Sequence, residues 1–120
     1  MSSRIAVALA TALLCACGRN GHAVQGSSGT VRYSVDPAIA GESNVITIAF
    51  RDAPRGDLKI VVRMVDMRMA PATIPLQKAG DTTYATGNVR FSMSGNRIAE
   101  VRVTDTRAPL ARFAFVVGDK

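Results

Sequence analysis

From Thr30 onward, apolar residues recur at every second position in short runs separated by turn-forming residues. That is the period of a half-buried strand and not of a helix. Val45 to Asp52 shows it best, with Ile46, Ile48 and Phe50 set to face a core while Thr47 and Arg51 face water. Leu58 to Met69 predicts a long strand, with Leu58, Ile60, Val62 and Met64 on one face and Val61, Val65, Met67 and Met69 on the other. Further strands are expected over Thr30 to Val35, Thr73 to Gln77, Thr83 to Phe91 (with an irregularity at Gly87-Asn88), Arg97 to Thr104 and Ala111 to Val117. Between them stand turn signals: Asp36-Pro37, Gly41 to Asn44, Ala53 to Asp57, Gly80-Asp81, Ser94 to Asn96 and Arg107 to Pro109. Ala70-Pro71 breaks a ladder because proline has no N–H to donate, and Pro75 marks its own run as an edge strand. About seven short strands with no helical stretch predict an all-β domain, an antiparallel immunoglobulin-like β-sandwich.

The first residues follow a different pattern. A positive start (Met1, Arg4) precedes an uncharged apolar run from Ile5 to Ala16, the layout of a secretory signal and too short to span a bilayer, which takes roughly 20 apolar residues. The run ends in Leu14-Cys15-Ala16-Cys17, which resembles a bacterial lipobox. On that resemblance residues 1–16 are a lipoprotein signal peptide, Cys17 is lipidated, and the domain is held to a membrane in the periplasm. Gly18 after the cysteine favours the outer membrane. The alternative is an ordinary signal peptide cleaved near Ala16 or Gly18. Residues 17–29, four glycines among polar residues, are expected as a flexible tether, leaving 30–120 as the folded domain. His22, the single histidine, falls in that tether as a solvated loop residue.

Lipidation of Cys17 and loss of Cys15 with the signal would leave the domain without a thiol, excluding a disulfide, a thiolate metal site and a cysteine nucleophile. Of 15 basic and 9 acidic residues, only Arg4 lies in residues 1–16, so the mature chain has 14 against 9, a net charge of +5. The charge is dispersed: Arg32, Arg51, Arg63, Arg90, Arg102 and Arg112 each stand singly in a different strand-like run, the habit of a solvated sheet face. A nucleic-acid surface would gather them with aromatics, so no nucleic-acid partner is expected. No acid, base and nucleophile fall together, and Asp66 and Glu100 are expected as exposed charges at strand edges. The chain is therefore expected not to be an enzyme.

The methionines of the domain fall in two patches, Met64, Met67 and Met69 before Ala70-Pro71, and Met93 in Phe91-Ser92-Met93-Ser94-Gly95. Strand parity puts Met67 and Met69 on one face and assigns Met64 to the core. If Met93 approaches that pair, three thioethers make a soft site suited to Cu(I) or Ag(I). Two other readings stand beside it: a sulfur-lined patch for an envelope protein, and simple packing under irregular loops.

Pro37, Gly41 to Asn44, Phe50-Arg51-Asp52 with Gly56, Met64 to Pro71, Gly80, Tyr84 and Phe91 to Gly95 occur in an order and spacing that resemble the YtkA-like domain, a module also found in FixH-type proteins. The resemblance spans Pro37 to Val103. It implies an immunoglobulin-like sandwich outside the cytoplasm, and, for FixH members, a link with copper-transporting ATPases and oxidase assembly. Two features depart from the family: a lipid signal stands where FixH proteins have a transmembrane helix, and Arg97 stands where the family has a tryptophan, a residue this chain lacks entirely. The expected function is a lipid-anchored periplasmic binding module, with Cu(I) handled by Met67, Met69 and Met93, or else a structural or interaction lipoprotein without metal.

Overall fold

The computed structural model describes residues 23–119. The expected signal peptide 1–16, the expected lipidation site Cys17 and the tether residue His22 lie outside the described residues. Among the described residues there are nine strands and no helix: β1 (Val24–Ser28), β2 (Val31–Asp36), β3 (Ser43–Phe50), β4 (Leu58–Met64), β5 (Ala72–Lys78), β6 (Thr83–Ala85), β7 (Val89–Arg90), β8 (Gly95–Val103) and β9 (Ala111–Val117). They pair antiparallel in the order β1-β2-β3-β6-β5-β4-β8-β9, with β7 added to β3. The half β1-β2-β3-β6 joins the half β5-β4-β8-β9 through a short β5–β6 pairing at Gln77 and Lys78. On the other side β1 and β9 are tied by Ser28 Oγ donating to the Arg112 carbonyl at 2.7 Å, and the loop after β2 by a parallel bridge from Ile39 to Gly118. The result is an all-β, sandwich-like domain that is nearly closed into a barrel.

Alternation accounts for the core. Along β3, Asn44, Ile46, Ile48 and Phe50 are buried in turn, and Leu58, Ile60 and Val62 do the same along β4. With Val31, Val35, Val101, Phe113, Phe115 and Val117 they form one apolar cluster. Tyr33 stacks on Phe113 at 3.9 Å between ring centroids, which fills the seam between β1 and β9.

Three expectations are corrected. Val24 to Ser28, expected in the tether, forms β1 and pairs along its length with β2, so the domain begins near Val24 and not at Thr30. The run Thr83 to Phe91 is two strands: Thr86 interrupts it, its hydroxyl accepting the Ile46 N–H at 3.0 Å and donating to the Gly87 carbonyl at 2.8 Å. Finally, β4 stops at Met64 instead of Met69. Its partners run out: β5 pairs only as far as Val62 with Ala72, and β8 begins at Gly95, whose φ of 138° turns the chain away.

All the strands run between two poles. At one lie the turns around Gly29, Ala53 to Asp57, Ala79 to Thr82 and Thr104 to Leu110. At the other lie the start of β1, the loop Pro37–Glu42, the loop Val65–Pro71, the loop Phe91–Ser94 and the end of β9. The adjacency of β4 and β8 brings both methionine patches to this second pole.

Candidate functional site

The methionine pole is built on the last ladder positions of β4 and β8. Met64 sits opposite Arg97, and the Val65 N–H donates to the Asn96 carbonyl at 3.1 Å. One residue on, Asn96 Nδ2 donates to Asp66 Oδ2 at 3.4 Å. The two loops are thus joined at their bases. Met64 is half-buried, its terminal methyl over Gly95, where an added Cβ would meet it at 3.1 Å.

Met67, Met69 and Met93 are 47%, 50% and 38% exposed, so none is spent on packing beneath a loop. Met67 and Met69 belong to a loop, so the strand-parity argument that paired them does not hold. What the structure does bring together is the loop carrying both with the loop carrying Met93. Val65, 50% exposed, adds an apolar side chain that is no metal ligand.

The Met93 loop is held from two sides. The Gly41 N–H donates to the Phe91 carbonyl at 2.8 Å, and Arg97 Nη2 donates to the Met93 carbonyl at 2.7 Å. Arg97 is buried, with its guanidinium carbon 5.1 Å from the centre of the Phe91 ring, a cation–π contact. Phe91 in turn packs on Phe115. Arg97 Nη1 is buried without a hydrogen-bond partner among the described residues, and desolvation lowers the pKa of the guanidinium from its ordinary value. Arg97 escaped sequence reasoning beyond its place in a family pattern. Parity held the signal, because Arg97, Ala99, Val101 and Val103 lie on one face of β8, the face that turns inward.

The Pro37–Glu42 loop that flanks this pole hangs on Asn44. Its buried Oδ1 accepts the Ile39 N–H at 3.0 Å, while Nδ2 lies within 3.1 Å of the Ile39 carbonyl, 2.8 Å of the Glu42 carbonyl and 3.3 Å of the Val89 carbonyl. Arg90 donates to the Gly41 carbonyl from the other side.

Elsewhere, Glu100 lies on the outer face of β8 and is buried, which corrects the expectation of an exposed edge charge. Arg102 and Arg112 cover it: Arg102 grips Oε1 through both Nε and Nη2, and Arg112 reaches Oε2 through Nε at 3.1 Å and Nη2 at 2.7 Å. Hydrogen bonds from Arg102 and Arg112 hold its pKa below the ordinary carboxylate value, against the opposing effect of burial. A shallow groove of about 540 Å³ opens on the outer face of β1, β2 and β3, lined by Gln25, Ser27, Arg32, Ser34 and Thr47 among others, away from the methionines. Among the described residues no group of three or more His, Cys, Asp or Glu side chains is placed to hold a metal ion, and no helix is long and apolar enough to cross a membrane.

The class defined so far is an all-β, sandwich-like domain with two adjoining methionine loops at one pole. No family model, no curated protein and no solved structure matches the chain.

Proposed function

We propose that the protein is a lipid-anchored, non-enzymatic binding module of the bacterial envelope, held in the periplasm by a lipid on Cys17 and binding through its methionine pole. Cu(I) is the small ligand this end suits. The observation that carries the reading is the joining of the two loops at Val65, Asp66 and Asn96, with Met67, Met69 and Met93 all exposed beyond it. Thioethers are soft donors that select soft ions. The buried Arg97 beside Met93 adds discrimination by charge, since a like charge repels a divalent ion twice as strongly as a monovalent one.

The test is a Cu(I) titration against a competing chelator of a soluble form lacking residues 1–17, beside its Met67→Leu, Met69→Leu, Met93→Leu variant. The swap nearly conserves volume and the sites are exposed, so the fold should survive. The parent should take Cu(I) from the chelator and the variant should not; equal affinities would end the metal reading. A second reading, an interaction lipoprotein without metal, is favoured by the exposure of Val65 and Val116, which enlarge the apolar pole without offering a ligand. Mass spectrometry of the native N-terminus tests the anchor that both readings share: acyl chains should be found on Cys17.

A further inference from the structure

Six large apolar side chains are exposed among the described residues: Val65, Met67, Met69, Met93, Leu110 and Val116. The Val65–Pro71 and Phe91–Ser94 loops supply four of them. Val116 stands opposite Asn96, one residue from the end of β9, and so joins the same pole. Leu110 alone lies at the other pole, where its N–H donates to the Val101 carbonyl. Patches of this kind on a protein of one domain mark a surface that is covered in use.

The point of chain entry says what covers it. β1 starts at Val24, opposite Val35, and Val35 leads through Asp36 into the loop whose Gly41 is bonded to Phe91. The chain therefore enters the domain at the methionine pole. Seven residue steps separate Val24 from Cys17, a reach of at most about 25 Å even when fully extended. The far pole is farther off, because the eight residue steps of β8 alone carry the chain about 26 Å, more than the tether spans even when fully extended. A lipid on Cys17 thus favours the methionine pole toward the bilayer over the inverted arrangement, which would need the whole tether stretched along the side of the domain.

We infer that the methionine pole seats on the lipid bilayer, with Val65, Met67, Met69, Met93 and Val116 entering the boundary between head groups and acyl chains. The inference rests on the lipid-anchor part of the proposed function and not on Cu(I). Arg63 and Arg68 flank the apolar side chains and stay at head-group level, burying their stems while keeping their charges wet. Asp66, tied to Asn96, offsets Arg68, so the loop Val65–Pro71 carries no net charge and Arg63 leaves one positive charge at its base. Seating is then driven by apolar area and not by anionic head groups, and salt weakens it little.

The chain has no tryptophan, so one introduced at an exposed site is the sole emitter when excited at the red edge, where its tyrosines do not absorb. Full-length Val65→Trp, Met69→Trp and Leu110→Trp proteins, purified with their native N-termini, are placed in phosphatidylcholine vesicles with and without brominated acyl chains, in the presence of a Cu(I) chelator. Val65→Trp and Met69→Trp should shift to the blue and lose most of their emission to the bromines, while Leu110→Trp keeps its own. Acylated Cys17 and vesicle flotation with all three tryptophans unquenched, or all three quenched alike, would overturn the seating and leave the anchor standing. An unmodified Cys17 in protein that does not float would overturn the anchor and the seating with it. Two probes on one loop guard against misfolding of a single variant.

Discussion

Asn44 and Glu100 are both polar, both buried, and both invisible to alternation alone. Asparagine before a strand signals a turn, so the sequence places Asn44 in a loop. In the fold it is the inward residue that starts the buried series of β3, and its amide serves the backbone of the Pro37–Glu42 loop, which has few strand partners of its own. Glu100 reads as a solvated charge on the outward face of β8, and the outward parity is correct. Its burial comes from Arg102, two residues on along the same face, and from Arg112, its cross-strand partner on β9. Register between strands decides this, and a single sequence does not display register. The consequence is testable by pH. Because the folded carboxyl has a lowered pKa, its contribution is complete above the unfolded value of about 4.3 and is lost as pH falls through the folded value. Glu100→Gln should therefore lower stability at pH 7, by about 1–2 kcal/mol given how exposed Arg112 remains, and the deficit should shrink below about pH 4. Urea denaturation of both proteins from pH 7 to pH 2 measures it.

At the scale of elements, the strands with the longest apolar alternation were the legible ones. β3, β4, β8 and β9 carry long runs of alternating Ile, Val, Leu and Phe, and their buried faces agree with the pattern. What the pattern misjudged was extent. Alternation continues through Val65, Met67 and Met69, but a strand needs a neighbour, and neither β5 nor β8 reaches that far. The candidate site was legible to the same degree. The sequence points to Met67, Met69 and Met93, and the loops that carry them do meet, yet the reason is the β4–β8 pairing and not parity. β1 was missed for the opposite cause: Val24-Gln25-Gly26-Ser27-Ser28 has the composition of a linker. Its glycine is there for packing. A Cβ on Gly26 would stand 2.4 Å from the Tyr33 hydroxyl oxygen, and the Tyr33 ring cannot swing aside without leaving its stack on Phe113. Gly26→Val should therefore cost about 1–3 kcal/mol, an overpacking penalty, whereas a flexible tether would tolerate it freely. In a Tyr33→Ala background the penalty should largely vanish, and a double-mutant cycle by thermal unfolding reads that coupling.

For the whole molecule, the place where folded chain begins sets how the domain can hang from a membrane. If the fold began at Thr30, thirteen residue steps would separate it from Cys17; with β1 in place only seven remain, and the anchor controls orientation. β1 also covers one end of the strand order: without it the β2 edge and the Tyr33–Phe113 stack lie open, and the Ser28 tie to β9 is gone. Forms beginning at residue 18 and at residue 24 should thus melt together, since they differ only in residues preceding β1. A form beginning at residue 30 should melt lower. A loss of about 2 kcal/mol would lower Tm by roughly 8–16 °C for a domain of this size. Equal Tm values for all three would mean that β1 adds nothing to the fold, and with it would go the short reach that turns the methionine pole toward the bilayer. Calorimetry on the three soluble forms thus tests, without any lipid, the geometric premise on which the orientation of the anchored protein depends.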